Sequence, residues 1–234
     1  MSKGARVGTV AKSCAAVIGV GVAAYGTLAG AAWLRYGQVE AAEANEADAE
    51  LDRFMPRYDI VERHHINVEA PAALTFASAC ELDIRRGPIV RAIFKARELL
   101  FGSTPDATER PREFFALMKS LGWGVLAERP GREVVMGAIT QPWQADVVFH
   151  ALPPADFARF HEPGYVKIAW TLRADPQGDD ASIFRTETRA IATDISARTK
   201  FRRYWSLVSP GIILIRRAML GPVRDEAERR AWRV

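Results

Sequence analysis

The segment from Ile195 to Trp232 dictates what else this chain must build. From Phe201 the apolar residues fall at Phe201, Trp205, Val208, Ile212, Ile215 and Met219, in steps of four, three, four, three and four. That spacing predicts one long α-helix with a single apolar face, widened by Tyr204, while Arg202, Arg203, Arg216 and Arg217 lie largely off it. A helix of this length cannot bury such a face alone, so a broad surface must lie beneath it. Pro210-Gly211 interrupts the pattern and predicts a kink, since proline removes an N–H and glycine frees the backbone. A kinked helix over a sheet leaves room between the two, which is the first pointer to a ligand space.

The amino-terminal end has a different character. Ser13 to Leu34 is a run of 22 residues without a charge, long enough for a helix to cross a hydrocarbon core of roughly 30 Å. Lys3, Arg6 and Lys12 precede it, and Trp33, Arg35 and Tyr36 close it like interfacial anchors. The flank beyond is acidic (Glu40, Glu43, Glu46, Asp48, Glu50, Asp52), so the basic end is expected in the cytoplasm and the bulk outside it. A signal peptide cleaved near Ala29-Gly30-Ala31 is the alternative, disfavoured because the run exceeds a usual apolar region of about 7–15 residues. The expected organisation is a basic tail at 1–12, a membrane helix at 13–35, a solvated Ala/Glu-rich spacer at 36–56 ending at Pro56, and a folded domain at 57–231.

Within that domain the hydrophobic period alternates between elements. Tyr58 to Val68 reads as a strand with Ile60, Glu62, His64, Ile66 and Val68 on one face. Helices follow from Pro71 to Ala79, from Pro88 to about Phe101 and from Glu113 to Leu121. Strands are expected at 123–129 and 132–140, joined by a Pro130-Gly131 turn, and at 146–152, 165–173 and 182–192. Val166, Ile168, Trp170 and Leu172 share one face of the fourth, and Phe184, Thr186, Thr188 and Ala190 share one face of the fifth. Asp194 reads as the N-cap of the last helix. This is an α+β plan with helices gathered on one face of an antiparallel sheet.

ERHHINVEAP at 62–71, EPGYVKIAW at 162–170, TETRAIATD at 186–194 and FRRYW at 201–205 resemble uncharacterised bacterial members of the SRPBCC superfamily. Those proteins have the START-like helix-grip fold shared with polyketide cyclases and lipid-transfer proteins. The resemblance spans about Tyr58 to Glu228; it implies a curved antiparallel sheet around the last helix and a cavity that takes a hydrophobic small molecule or lipid. Five strands follow the helices here, where the family usually has six. The membrane helix and the spacer are additions that the fold does not require.

Trp170, Phe201, Tyr204, Trp205, Val208 and Ile212 would wall such a cavity, with Glu62, His64 and Thr186 as polar groups that orient a ligand. The same aromatic stripe is equally what a filled core would use. Glu62 and His64 face the same way; the outward, structural orientation is preferred because burying an unpaired charge is costly. Lys167, Arg185, Glu187 and Arg189 alternate as a charged ladder expected on the exposed sheet face.

No nucleophile–base–acid constellation, metal-ligand spacing or cofactor fingerprint is present in the sequence, and Cys14 and Cys80 build neither a disulfide framework nor a metal site. A net charge of +4 comes from Arg and Lys spread among acids, which argues against nucleic acid. The leading expectation is therefore a membrane-anchored binding protein for a hydrophobic molecule. A cyclase or aromatase-type enzyme using Glu62, His64 or Tyr204, and an interaction module with a filled cavity, are the alternatives.

Overall fold

A computed structural model describes residues 23–39, 42, 46–84, 87, 95 and 110–233 of the 234-residue chain. The chain runs α1 (Ala49–Phe54), β1 (Ile60–Val68), α2 (Ala72–Glu81), α3 (Phe114–Ser120), β2 (Gly124–Arg129), β3 (Glu133–Thr140), β4 (Phe149–His150), α4 (Pro154–Arg159), β5 (Val166–Pro176), β6 (Ser182–Ala192) and α5 (Ile195–Ala231). The strands form one antiparallel sheet in the order β1-β6-β5-β3-β2, with β4 added to β3. Helix α5 packs across β1 and β6 on one face and against α2. All but residue 95 of the expected helix at 88–101, the tail at 1–12 and the first part of the 13–35 segment lie outside the described residues.

Local chemistry accounts for the element boundaries. Pro130 and Gly131, the latter at φ 71°, occupy the two central positions of the β2–β3 turn, and the Arg132 N–H donates to the Arg129 carbonyl at 3.0 Å. That is the residue pair a type II turn favours. Asp194 caps α5 as expected, its carboxylate accepting from the Ala197 N–H at 2.9 Å and also from the Gly164 N–H. The strand expected at 146–152 shrinks to two residues, Phe149 and His150, since its partner β3 ends at Thr140, whose Oγ1 donates to the Val148 carbonyl at 2.7 Å. Helix α5 runs 37 residues through both Pro210 and Pro222.

The register sets the two faces. Glu62 lies opposite Thr188 and His64 opposite Thr186 on the β1–β6 pair, while Trp170 lies opposite Thr188 and Leu172 opposite Thr186 on the β5–β6 pair. This inner face looks toward α5. The outer face was expected to be solvated, and the structure corrects this. Leu51, Phe54 and Met55 of the supposed spacer pack there with Phe157 of α4, Val135 and Ala169 in one apolar cluster. Gly137 makes the approach possible, since a Cβ at that position would come within 3.0 Å of the Phe157 ring. Apolar residues spaced through an Ala/Glu-rich stretch thus make it a covering helix.

The charged ladder is buried with it. Arg189 is only 2% exposed; it donates to Glu187 Oε1 at 2.6 Å, to Asp52 Oδ1 at 2.5 Å and to the Met55 carbonyl at 2.8 Å, and it stacks over the Tyr58 ring. Arg63 holds the other Glu187 oxygen at 3.2 Å, and Lys167 reaches the Ala158 carbonyl at 3.1 Å. A buried ion pair contributes little net stability when intact, but removing one partner strands the other. Arg189→Ala is therefore expected to destabilise the fold by at least about 2 kcal/mol in thermal unfolding, whereas a solvated ladder would lose about 0–1 kcal/mol.

Candidate functional site

Beneath the middle of α5 the inner face carries polar side chains instead of a continuous apolar layer. Glu62 and His64 project inward from β1, correcting the preferred outward orientation; His64 Nε2 lies 3.7 Å from Glu62 Oε2, and the His64 side chain is 9% exposed. From α5, Arg216 reaches down and donates through Nη1 to Thr186 Oγ1 at 3.1 Å. Arg216 was expected largely off the apolar stripe. It sits four residues after Ile212 and three before Met219, which places it on the sheet-facing side, with its aliphatic stem continuing the greasy row.

This cluster is under-satisfied. Among the described residues, His64 Nε2, Thr188 Oγ1, Ser209 Oγ and Arg216 Nε are shielded from solvent and have no hydrogen-bond partner. Burial raises the Glu62 carboxyl above its usual range, opposed by Arg216, Arg217 and Arg35. Burial lowers the His64 imidazole to about 4, and Arg216 and Arg217 push it the same way. Burial also lowers the Arg216 guanidinium to about 10, against the attraction of Glu62. At neutral pH the cluster therefore holds a neutral imidazole beside a cationic guanidinium.

The aromatic wall does not assemble as one surface. Phe201 and Trp205 are buried with Tyr36, Ile60, Val166 and Ala190; the Phe201 ring lies 5.9 Å from Tyr36 and 6.1 Å from Trp205, and Tyr204 and Ile212 pack alongside. Trp170 belongs to a separate cluster, 5.4 Å from Phe114 and 5.8 Å from Trp123. Val208 is half-buried. The amino-terminal half of the stripe is thus core, and Glu62, His64 and Thr186 are the expected site residues that the fold brings together.

Space opens further along the helix. A cleft of about 820 Å³ lies between the end of α2, the residues that follow it and the carboxy-terminal half of α5. Leu82, Ile84, Met219 and Pro222 line it beside charged side chains of both signs, among them Asp83, Glu226 and Arg230, and beside Ser78, whose buried hydroxyl is unpartnered among the described residues. Small-molecule sites are typically clefts of roughly 300–1,000 Å³ with apolar walls and a few polar groups. Met219 connects the two regions, one turn from Arg216 and in the same apolar cluster as Ile66, the next inward residue after His64. The sequence hid this because Leu82 and Ile84 follow a helix end with no period of their own. No grouping of His, Cys, Asp and Glu that could hold a metal ion occurs among the described residues.

Comparison with known proteins finds only distant likenesses. No family model matches the chain, and no curated protein matches it. Among solved structures, a hypothetical protein of Helicobacter pylori aligns at 7% identity over 80% of this chain and 99% of its own, with a TM-score of 0.36. Norcoclaurine synthase from Thalictrum flavum, with dopamine and hydroxybenzaldehyde bound, aligns at 11% identity over 83% of this chain and 98% of its own, with a TM-score of 0.28. The Zhui aromatase/cyclase of Streptomyces sp. R1128 aligns at 14% identity over 73% of this chain and 94% of its own, with a TM-score of 0.22. Likenesses this distant carry no argument about activity, so the site must speak through its own geometry.

A depressed imidazole stabilises the fold above its unfolded value of 6.5, and that contribution is lost as pH falls from 6.5 toward 4. The His64 ring is expected to titrate near 4 by NMR. His64→Gln is expected to flatten the acid limb of the stability profile by an amount on the order of 2 kcal/mol. Titration near 6.5 would show that His64 is solvated.

Proposed function

We propose that this chain is a membrane-anchored binding protein for a hydrophobic small molecule or lipid, held against α5 in the cleft that its carboxy-terminal half forms with the end of α2 and the residues after it. The observation that carries this reading is the cleft of about 820 Å³ bordered by Met219 and Pro222 of α5. The apolar part of its wall, from Leu82, Ile84, Met219 and Pro222, suits a greasy body, while the polar cluster one turn from Met219 suits a head group. The arrangement of an antiparallel sheet under one long helix agrees with the SRPBCC resemblance seen in the sequence.

Anchoring rests on the amino-terminal segment, of which residues 23–35 are described and helical. This helix runs beside α5: the Tyr25 hydroxyl donates to the Leu207 carbonyl, and Arg202 donates to the Trp33 carbonyl at 2.9 Å while stacking on the Trp33 ring. Tyr25, Leu28 and Leu34 on one helix and Leu207 and Leu214 on the other are exposed. Among the described residues α5 is the one helix long and apolar enough, by length and composition, to cross a membrane. Its contacts with β1, β6 and α2 and its central arginines favour a helix that rests at the lipid boundary beside a spanning amino-terminal segment. The bulk of the chain is then placed outside the cytoplasm, on the acidic side of the anchor.

A second reading, an enzyme of the cyclase or aromatase type, draws on one observation, the inward pair of Glu62 and His64 at 3.7 Å. Such a pair could move a proton if a substrate carbonyl reached it. An interaction module using the charged sheet face loses its surface, because Arg189 and Glu187 are buried under α1.

Ala218 lines the cleft, and Ala218→Trp places a bulky ring in it. The variant is expected to lose most of its binding of a fluorescent acyl probe to the full chain in detergent, with little change in unfolding temperature. Undiminished binding would place the ligand elsewhere. Deleting residues 1–35 is expected to move the protein from the membrane to the soluble fraction of cells; persistence at the membrane would shift the anchoring role to α5.

A further inference from the structure

Arg216 presents a charge that the protein itself does not balance with a hydrogen bond. Its recorded hydrogen bond goes to the neutral Thr186 hydroxyl, and its Nε is buried without a partner among the described residues. Leaving a guanidinium in that condition is costly. The neighbouring charges do not resolve the imbalance. Glu62 attracts Arg216 through space and makes no hydrogen bond to it, and the same carboxyl also feels Arg217 and Arg35. One carboxylate thus faces three guanidinium groups.

The other unpaired atoms are of complementary kind. Thr188 and Ser209 offer hydroxyl donors, and His64, neutral at physiological pH, donates from Nε2 in the tautomer that protonates that nitrogen. Thr188 is two residues from Thr186 on the same strand face, and Ser209 lies two helical turns before Arg216 on the same side of α5. Three potential donors and the free Nε edge of a guanidinium therefore lie on the facing surfaces of β1, β6 and α5. The group missing from this set is an acceptor-only anion.

We propose that the Arg216 cluster recognises the carboxylate of an amphiphilic ligand whose apolar body extends past Met219 into the cleft. The inference rests on the ligand-binding reading above and names the chemistry of its head group. With Nη1 engaged by Thr186, the guanidinium presents its Nε edge, which matches a planar carboxylate in two-point contact. Burial makes that contact far stronger than the same pair in water. A long-chain acid is therefore selected over an alcohol of equal length, with Glu62 setting a limit on how much negative charge the site accepts.

The test uses the delipidated full chain in a neutral detergent, with laurate, dodecanol and dodecyl phosphate measured by equilibrium dialysis. Laurate is expected to bind more tightly than dodecanol by about tenfold or more, the scale of one charge-assisted contact. Arg216→Gln is expected to bring laurate to the level of dodecanol, Arg216→Lys to retain part of the preference, and Ser209→Ala to weaken laurate by a smaller factor. Equal binding of laurate and dodecanol by the native chain overturns the proposal while leaving the apolar cleft standing. So does a preference that survives Arg216→Gln. Tighter binding of dodecyl phosphate than laurate overturns the carboxylate assignment, and failure of all three ligands to bind removes the ligand-binding reading itself.

Discussion

The structure depends on one burial problem: α5 is 37 residues long and carries a greasy stripe from Phe201 to Met219, much of which the sheet's inner face covers. The two halves of the contact are solved differently. In the first half Phe201 and Trp205 interlock with Tyr36, Ile60 and Val166, and little but van der Waals packing is at stake. In the second half the row passes through Arg216, and the strands answer with Glu62, His64, Thr186 and Thr188. Apolar contact resumes at Met219 and Val223, and a cleft lies beside it between the end of α2 and α5. Packing along the first half holds the helix in place, so the second half can tolerate polar groups and open space that would otherwise cost the fold its roof.

The opposite face of the sheet supplies the rigidity this requires. Arg189 joins β6, α1 and the Met55 backbone through Glu187, Asp52 and a carbonyl, so the segment after the amino-terminal helix is fixed on the sheet at one place. Tyr36 adds a second attachment, sharing Asp59 with Arg198 at 3.1 Å. The amino-terminal region is thus pinned to both faces of the sheet. The amino-terminal helix is thereby held in a fixed orientation to the domain, and α5 lies on the side facing it.

Much of the architecture was legible because period carries it. The alternation of β1, β5 and β6, the Pro130-Gly131 turn and the Asp194 cap all follow from local chemistry, and the register then places Glu62, His64 and Thr186 on one face. What escaped notice depends on tertiary partners. The outer ladder read as solvated because strand alternation alone does not show that Leu51 and Phe54 would arrive to cover it. Arg216 read as surface because its charge masked its helical position, although the spacing from Ile212 and Met219 already put it on the stripe. The cleft was invisible because two of its walls, Leu82 and Ile84, belong to no periodic element.

The central claim is that α5 roofs a space occupied by an amphiphile. Native mass spectrometry of the full chain, released from detergent directly after isolation from membranes, addresses it most directly. The account predicts a non-covalent adduct of lipid-like mass at one per chain, retained in repeated preparations and reduced when Met219 is replaced by tryptophan. A bare chain mass in every preparation, with no adduct regained on adding membrane lipid extract, would contradict it.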